Sequence, residues 1–335
     1  MADQSTVAGL VNEIKPGQWQ MMVETRTTFW QELRQRFGEA CRLNEPLSRY
    51  TAYRVGGPAD ALVVPQTVED LQWLVRYCQQ QRVPYRVLGS GANVLVHDAG
   101  YRGVIILLRD CCGQIQQQGT QLYVGAGVLV QDLVPYCERH QLAGLHFMSG
   151  IPGTVGGALI MNAGAFDGEI GDRVIAVDAL DAHGNRCRIP REAAKFGYRQ
   201  APGLQGLLLL GCWLQLEVGN SERLRQQRQS ILQRRAEKQP LDYPSCGSVF
   251  KRPPGDFAGR LIERSGGKGM RVGGAMVSPK HANFILNVDQ ATASDIFELI
   301  VQVQQRVYQE AGVWLEPEVQ FIGFSERELK KLKQP

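Results

Sequence analysis

Hydrophobic and polar residues recur along this chain with two different periods, and the switches between them mark its parts. Leu71, Leu74, Val75 and Cys78 fall at helical spacing after Thr67, with Asp70 three residues beyond it, which predicts a capped amphipathic helix. Residues 61–64 before it, and 85–88 beyond Pro84, read as short strands, so the three form a β-α-β unit. A short helix is expected over 29–37, whereas residues 1–24 show no clean period and read as a tail. From 88 to 218 the pattern becomes short-stranded and glycine-rich. Strands are expected at 94–96, 104–108, 122–124, 158–161, 174–180, 186–189 and 207–216, with 130–140 the one clear helix. Helical pattern returns over 221–238, stopped by Pro240. It returns again from Thr292, where Ile296, Leu299, Ile300, Val303 and Val307 share a face that ends at Gly312. Strands at 284–288 and 318–322 complete the reading.

A chain of 335 residues exceeds the ~100–200 of one domain, so several units are expected. The longest apolar stretch, 207–214, is far short of the ~20 residues that span a membrane. The N-terminus carries no basic segment followed by an apolar run, which leaves the cytoplasm as the default compartment. The eight cysteines form no CxxC and the five histidines no HExxH, so reduced thiols and no metal are expected. The net charge of +4 is mild. Cations concentrate in 221–239, as a solvated helix face or an attraction for an anionic partner. No aromatic interleaving accompanies them, so nucleic acid is not an expected partner.

Glycine, 37 of 335 residues, is above the ~7% norm, and it clusters. Gly89-Ser90-Gly91-Ala92-Asn93 lies between two strands. It is no Rossmann fingerprint, because Val94 stands at the third glycine position and a strand follows instead of a helix. Such a turn still exposes successive N–H groups suited to phosphate oxygens, or is an ordinary tight hairpin. A second cluster, Gly150 to Gly157, is followed by Met161-Asn162-Ala163-Gly164-Ala165-Phe166 and lets a backbone approach a flat or anionic ligand closely. Two such loops suggest a long ligand with a pyrophosphate. In the third, Tyr243 to Lys251, Ser248 follows Gly247, but GxSxG is absent and no nearby His offers a base, which disfavours a serine hydrolase.

Seven segments in order resemble one family: YTAYRVGGPADALVVP near residue 50, LGSGANVLVHDAG near 90, SGIPGTVGGALIMNAGAF near 155, FGYR at 196–199, YPSCGSVFKRPPGDFAGRLIE near 250, VSPKHANFILN near 280 and EPEVQFIG near 318. The family is UDP-N-acetylenolpyruvoylglucosamine reductase, in its shorter subclass, since the stretch from FGYR to the basic helix leaves no room for an extra substrate-covering loop. The resemblance covers about residues 45–323. It implies an α+β, three-domain FAD-binding fold of the vanillyl-alcohol-oxidase (PCMH) type with a C-terminal substrate-binding α/β domain. The expected division is a tail over 1–24, a first FAD-binding subdomain over 25–88 plus 313–335, a second over 89–218, and the substrate domain over 219–312.

The resemblance also implies bound FAD, with NADPH as hydride donor, reducing the enolpyruvyl group of a UDP-sugar to UDP-N-acetylmuramate for peptidoglycan. Nothing points to a protein partner. Gly89, Ser90, Gly91, Ala92 and Asn93 would wrap the pyrophosphate. Ile151, Pro152, Gly153, Thr154, Val155, Gly156 and Gly157, with Asn162, would line the flavin side. Arg199, Ser248 and Glu318 match the catalytic set. Tyr198 and Lys238 match substrate contacts. Arg252 stands where part of the family carries Asn, and Gly267 where Leu is usual; Cys246, two residues before Ser248, fits the motif less well as the acid. An oxidase of a sugar or hydroxy acid on the same scaffold would share the glycine loops but not the Arg–Ser–Glu set, and a non-enzymatic nucleotide-binding protein would need the loops alone.

Overall fold

The structure is a computed structural model that describes residues 28–166 and 168–333; the expected tail over 1–24 lies outside them. The β-α-β reading is realised. Thr67 Oγ1 accepts the Asp70 N–H at 3.1 Å and starts the helix Val68–Gln80, whose Leu71, Leu74, Val75 and Cys78 are buried. The strands Cys41–Pro46, Pro58–Val63, Tyr101–Ile106 and Tyr85–Val87 form one sheet in that order, antiparallel at the first pair and parallel beyond it. This sheet reaches Ile106 because Tyr101–Ile106 sits between two parallel neighbours, so it runs past the boundary expected at residue 88. Thr67→Ala removes a side-chain cap and is expected to lower stability by about 1 kcal/mol, read as a thermal-unfolding shift with no change in activity.

A second sheet is antiparallel throughout, in the order Arg186–Pro190, Val174–Leu180, Leu208–Gln215, Gln121–Gly125, Ile115–Gln118. One buried core runs from Phe29 through Leu71 and Leu122 to Leu216, joining this sheet to the helix Val68–Gln80. The strand expected at 158–161 is instead the end of a helix, Val155–Ile160. Thr154 caps it by accepting the Gly157 N–H at 3.3 Å, and Gly156 lets the helix close on Ala126, where a Cβ would stand 3.1 Å from the Ala126 Cβ. Tertiary contact here overrides the poor helix propensity of two glycines.

The third unit packs the sheet Arg271–Val272, Ala275–Val277, Ile285–Asn287 against the helices Ala258–Arg264 and Ala293–Ala311. Thr292 and Asp295 form a capping box at the start of the longer helix, and Gly312 ends it in the left-handed conformation at φ 66°. Gly267 fits by necessity, since a Cβ there would lie 2.5 Å from Ile262 Cγ2 and 2.9 Å from its carbonyl oxygen. The chain then returns. Gln320–Ile322 pairs in parallel with Val94–Val96, directly after the first glycine loop. Among the described residues no helix is long and apolar enough to cross a membrane.

Candidate active site

The return of the last strand builds the site. Glu318 N–H donates to Val249 O at 2.7 Å, Val249 N–H to Asn283 O at 2.9 Å, and Ser248 bridges to Phe284. Asn93 Nδ2 donates to Glu318 O at 3.0 Å, which ties the first glycine loop to the same point. Arg199 arrives from elsewhere, at the tip of the Gly197–Gln200 turn, with φ 55°. Arg199, Ser248 and Glu318 line one cleft of about 1070 Å³ together with Tyr198, Arg252, Phe257, Lys280 and His281.

Arg199 Nε lies 3.0 Å from Glu318 Oε1, off the line a hydrogen bond requires, and Nη2 donates to Gly164 O at 3.2 Å. Burial pushes the Glu318 carboxyl above its usual range, and the attraction of Arg199 and Lys251 offsets that only in part. The site thus pairs a fixed guanidinium with a carboxyl biased towards its protonated form. Cys246 is buried and outside the cleft lining that Ser248 joins; burial pushes its thiol up to about 12, and Sγ faces Val94 O at 3.3 Å. Tyr198 is half exposed in the cleft, and its hydroxyl accepts the Arg252 N–H at 3.2 Å; the Arg252 guanidinium lies 4.1 Å from the Phe257 ring centre.

The two glycine loops meet, since a Cβ on Gly89 would stand 2.6 Å from Thr154 Oγ1. Among the described residues, the N–H groups of Ser90, Gly91 and Ala92 donate to no protein acceptor, as an anion cradle requires. The strands flanking this loop belong to different sheets, so it is no hairpin. Gly91 presses on the Tyr50–Thr51 backbone, where a Cβ would be 2.0 Å from Tyr50 O. The second loop is less open than its glycines suggest. Ile151, Val155 and Gly156 spend their N–H groups on Met148, Val128 and Ala126 carbonyls. Gly153, at φ 135°, has open space beside it.

Three of the expected contact residues lie away from the open surface of the site. Val155 is fully buried with its N–H spent on Val128 O, so it supports the loop from behind. Asn162 is 1% exposed, and its amide is fully engaged with Glu169, Gly197 and Gly171. Lys238 ends the helix Ser221–Lys238 exposed and outside the cleft lining; the lysine in the lining is Lys280, whose Nζ donates to Ala236 O at 2.7 Å. One residue of that helix was not legible beforehand. Arg235 has a buried Nε with no partner, beside Gly150, whose Cβ would lie 3.3 Å from it. A half-buried guanidinium whose Nε lacks a partner, next to a glycine loop, fits an anionic group.

These features fit FAD, and the relatives agree. An FAD-binding domain model matches residues 59–189, and a model of the UDP-N-acetylenolpyruvoylglucosamine reductase C-terminal domain matches 239–322. UDP-N-acetylenolpyruvoylglucosamine reductase of Caldanaerobacter subterraneus subsp. tengcongensis is 44% identical over 283 residues, 84% of this chain and 93% of that protein. The Listeria monocytogenes serovar 1/2a enzyme of that name is 44% identical over 285 residues, 85% of this chain and 95% of its own. The crystal structure of the Thermus caldophilus reductase superposes with a TM-score of 0.71 at 38% identity, covering 84% of this chain and 98% of that one. Fold and site define an FAD-dependent oxidoreductase of α+β architecture. The chain belongs to the UDP-N-acetylenolpyruvoylglucosamine reductase family.

Proposed function

We propose that this chain reduces the enolpyruvyl group of UDP-N-acetylenolpyruvoylglucosamine to UDP-N-acetylmuramate, with FAD bound and NADPH as donor. The observation that carries the reading is the convergence of Arg199, Ser248 and Glu318, from three distant segments, on one cleft. Bound FAD would supply, at one carbon of the enolpyruvyl double bond, the hydride that NADPH gives up. The other carbon then carries negative charge shared with the neighbouring carboxylate. Arg199, whose planar fork matches a carboxylate, holds that group and stabilises the charge. The Ser248 hydroxyl gives a proton to the charged carbon, so one hydride and one proton add across the double bond. Glu318, kept towards its protonated form by burial, assists at the same carboxylate.

Gly89 to Asn93 would hold the pyrophosphate through unpaired N–H groups, with Gly153 and Thr154 along the flavin side. Arg235 would face an anionic part of the cofactor. Tyr198 and Lys280 would meet the UDP-sugar. The units 25–88 plus 313–335, 89–218 and 219–312 divide the chain into two FAD-binding parts and a substrate part, with Tyr101–Ile106 given to the first sheet. A nucleotide-sugar substrate and NADPH as donor support a cytoplasmic reaction.

Purified protein should be yellow, and NADPH should bleach it, with colour restored by the enolpyruvyl sugar; protein that takes up no FAD defeats the reading. Arg235→Ala should weaken FAD binding about tenfold, the loss of one charge-assisted hydrogen bond, measured by titrating the apoprotein. Unchanged affinity would remove Arg235 from the cofactor site and leave the rest standing.

A further inference from the structure

Asn162 stands behind the cleft at the crossing of three segments. It adopts φ 40°, a left-handed conformation that Asn tolerates better than most residues. Its Nδ2 donates to Glu169 Oε2 at 2.6 Å and to Gly197 O at 3.0 Å, and its Oδ1 accepts the Gly171 N–H at 3.0 Å. A rotated amide would set its oxygen against a carboxylate and a carbonyl, so only this orientation satisfies all three. Gly171 is held to glycine by the same junction, because a Cβ there would lie 2.7 Å from Asn162 Oδ1 and 2.7 Å from Phe196 Cγ.

Gly197 O is the base of the turn that carries Arg199. Gly197 and Gln200 exchange backbone hydrogen bonds of 3.0 and 3.1 Å, leaving Tyr198 and Arg199 at the tip. The Arg199 guanidinium then donates to Gly164 O, two residues beyond Asn162. Asn162 therefore fixes both ends of the guanidinium's placement. Its side chain holds the base of the turn, and its backbone leads into the carbonyl that receives the tip.

We propose that Asn162 is a positioning residue for Arg199, touching neither cofactor nor substrate and acting through where it sets the guanidinium. The inference rests on the role given to Arg199 above. A displacement near 1 Å can cost about 10²-fold in a reaction that needs alignment.

Asn162→Asp keeps the size, removes both donors and sets a second carboxyl against Glu169. The charged groups around that point are Glu169, Asp172, which accepts the Glu169 N–H at 3.0 Å, Arg191, whose Nε donates to Gly171 O at 2.8 Å, and Arg199 through Gly164 O. FAD content and the rate of bleaching by NADPH should stay within about twofold of wild type, while reoxidation by the sugar slows about 10- to 100-fold. Two facing carboxyls bind a shared proton more readily than either does alone. As pH falls that proton restores one donor, so the ratio of variant to wild-type rate should rise towards acid. Asn162→Gly suits the same φ, has no carboxyl to share a proton, and should show the loss without the acid recovery. In an Arg199→Ala background Asn162→Asp should cost less than about twofold more, because both act at one group. Full additivity, a pH-independent ratio, or lost flavin in both variants would overturn the proposal. An Arg199→Ala enzyme with a normal sugar reaction would defeat the reading of Arg199 itself; a slow Arg199→Ala beside a normal Asn162→Asp would defeat only the inference.

Discussion

Ser248→Ala is expected to bind FAD and to be bleached by NADPH at close to the wild-type rate, yet to be reoxidised by the enolpyruvyl sugar about 10²–10⁴-fold more slowly, the usual worth of a positioned general acid. The separation follows from the geometry. Ser248 lines the cleft within a backbone lattice set by Phe284, Asn283 and Glu318, whereas residues 89–93 and 150–157 lie outside the cleft lining. Gly247 before it, at φ 74°, turns the chain, so the hydroxyl is delivered by the backbone and alanine leaves that backbone intact. Hydride arrival from NADPH needs no proton at the product carbon, whereas completion of the sugar reaction does. Ser248→Cys should retain more activity than alanine, because a thiol still carries a proton to give. Stopped-flow absorbance on pre-reduced protein reads the step directly. Reoxidation of the alanine variant at the wild-type rate, or failure at the NADPH step instead, would show that the proton comes from elsewhere.

What the chain reveals before folding depends on how local its signals are. The helix Val68–Gln80 is legible because its cap, period and apolar face all lie within thirteen residues. The helix Val155–Ile160 is not, because what stabilises it is the approach of Gly156 to Ala126, thirty residues away, and glycine argues against helix when read alone. The candidate set is accessible only through resemblance; no spacing places residues 199, 248 and 318 together, and the Glu318 N–H to Val249 O bond beside Ser248 and the contact of Arg199 with Glu318 do so in space. Lys238 and Arg235 show the same limit from the other side. Their helix buries only Leu224 and Ile231, so its apolar pattern is too sparse to say which cation faces inward. Asn162 sits inside the right motif, but its amide is consumed by partners 7, 9 and 35 residues away.

Arg199→Ala should slow the sugar half-reaction by about 10²–10³-fold, the scale of removing a preorganised donor from developing negative charge, and should weaken sugar binding as well. Flavin content and NADPH bleaching should be little changed, since the guanidinium bonds to Gly164 O and pairs with Glu318, not with either glycine loop near the pyrophosphate. Arg199→Lys keeps a charge but not the two-pronged fork, and should recover only part of the loss. A second consequence concerns pH. Burial raises the Glu318 pKa and Arg199 is the largest of the effects that lower it. With Arg199 present, protonated Glu318 is lost as pH rises through that raised value, and the sugar reaction should decline over the same window. Without Arg199 the opposing attraction shrinks, the pKa moves further up, and the decline should shift to higher pH. Rate–pH profiles of wild type, Arg199→Ala and Glu318→Gln separate these effects. Glu318→Gln should be slow and should lack this decline, because it has no proton to lose. A decline that stays at the same pH in Arg199→Ala, or persists in Glu318→Gln, would mean that a group other than Glu318 sets it, and that the Arg199–Glu318 pair does not govern the protonation state of the site.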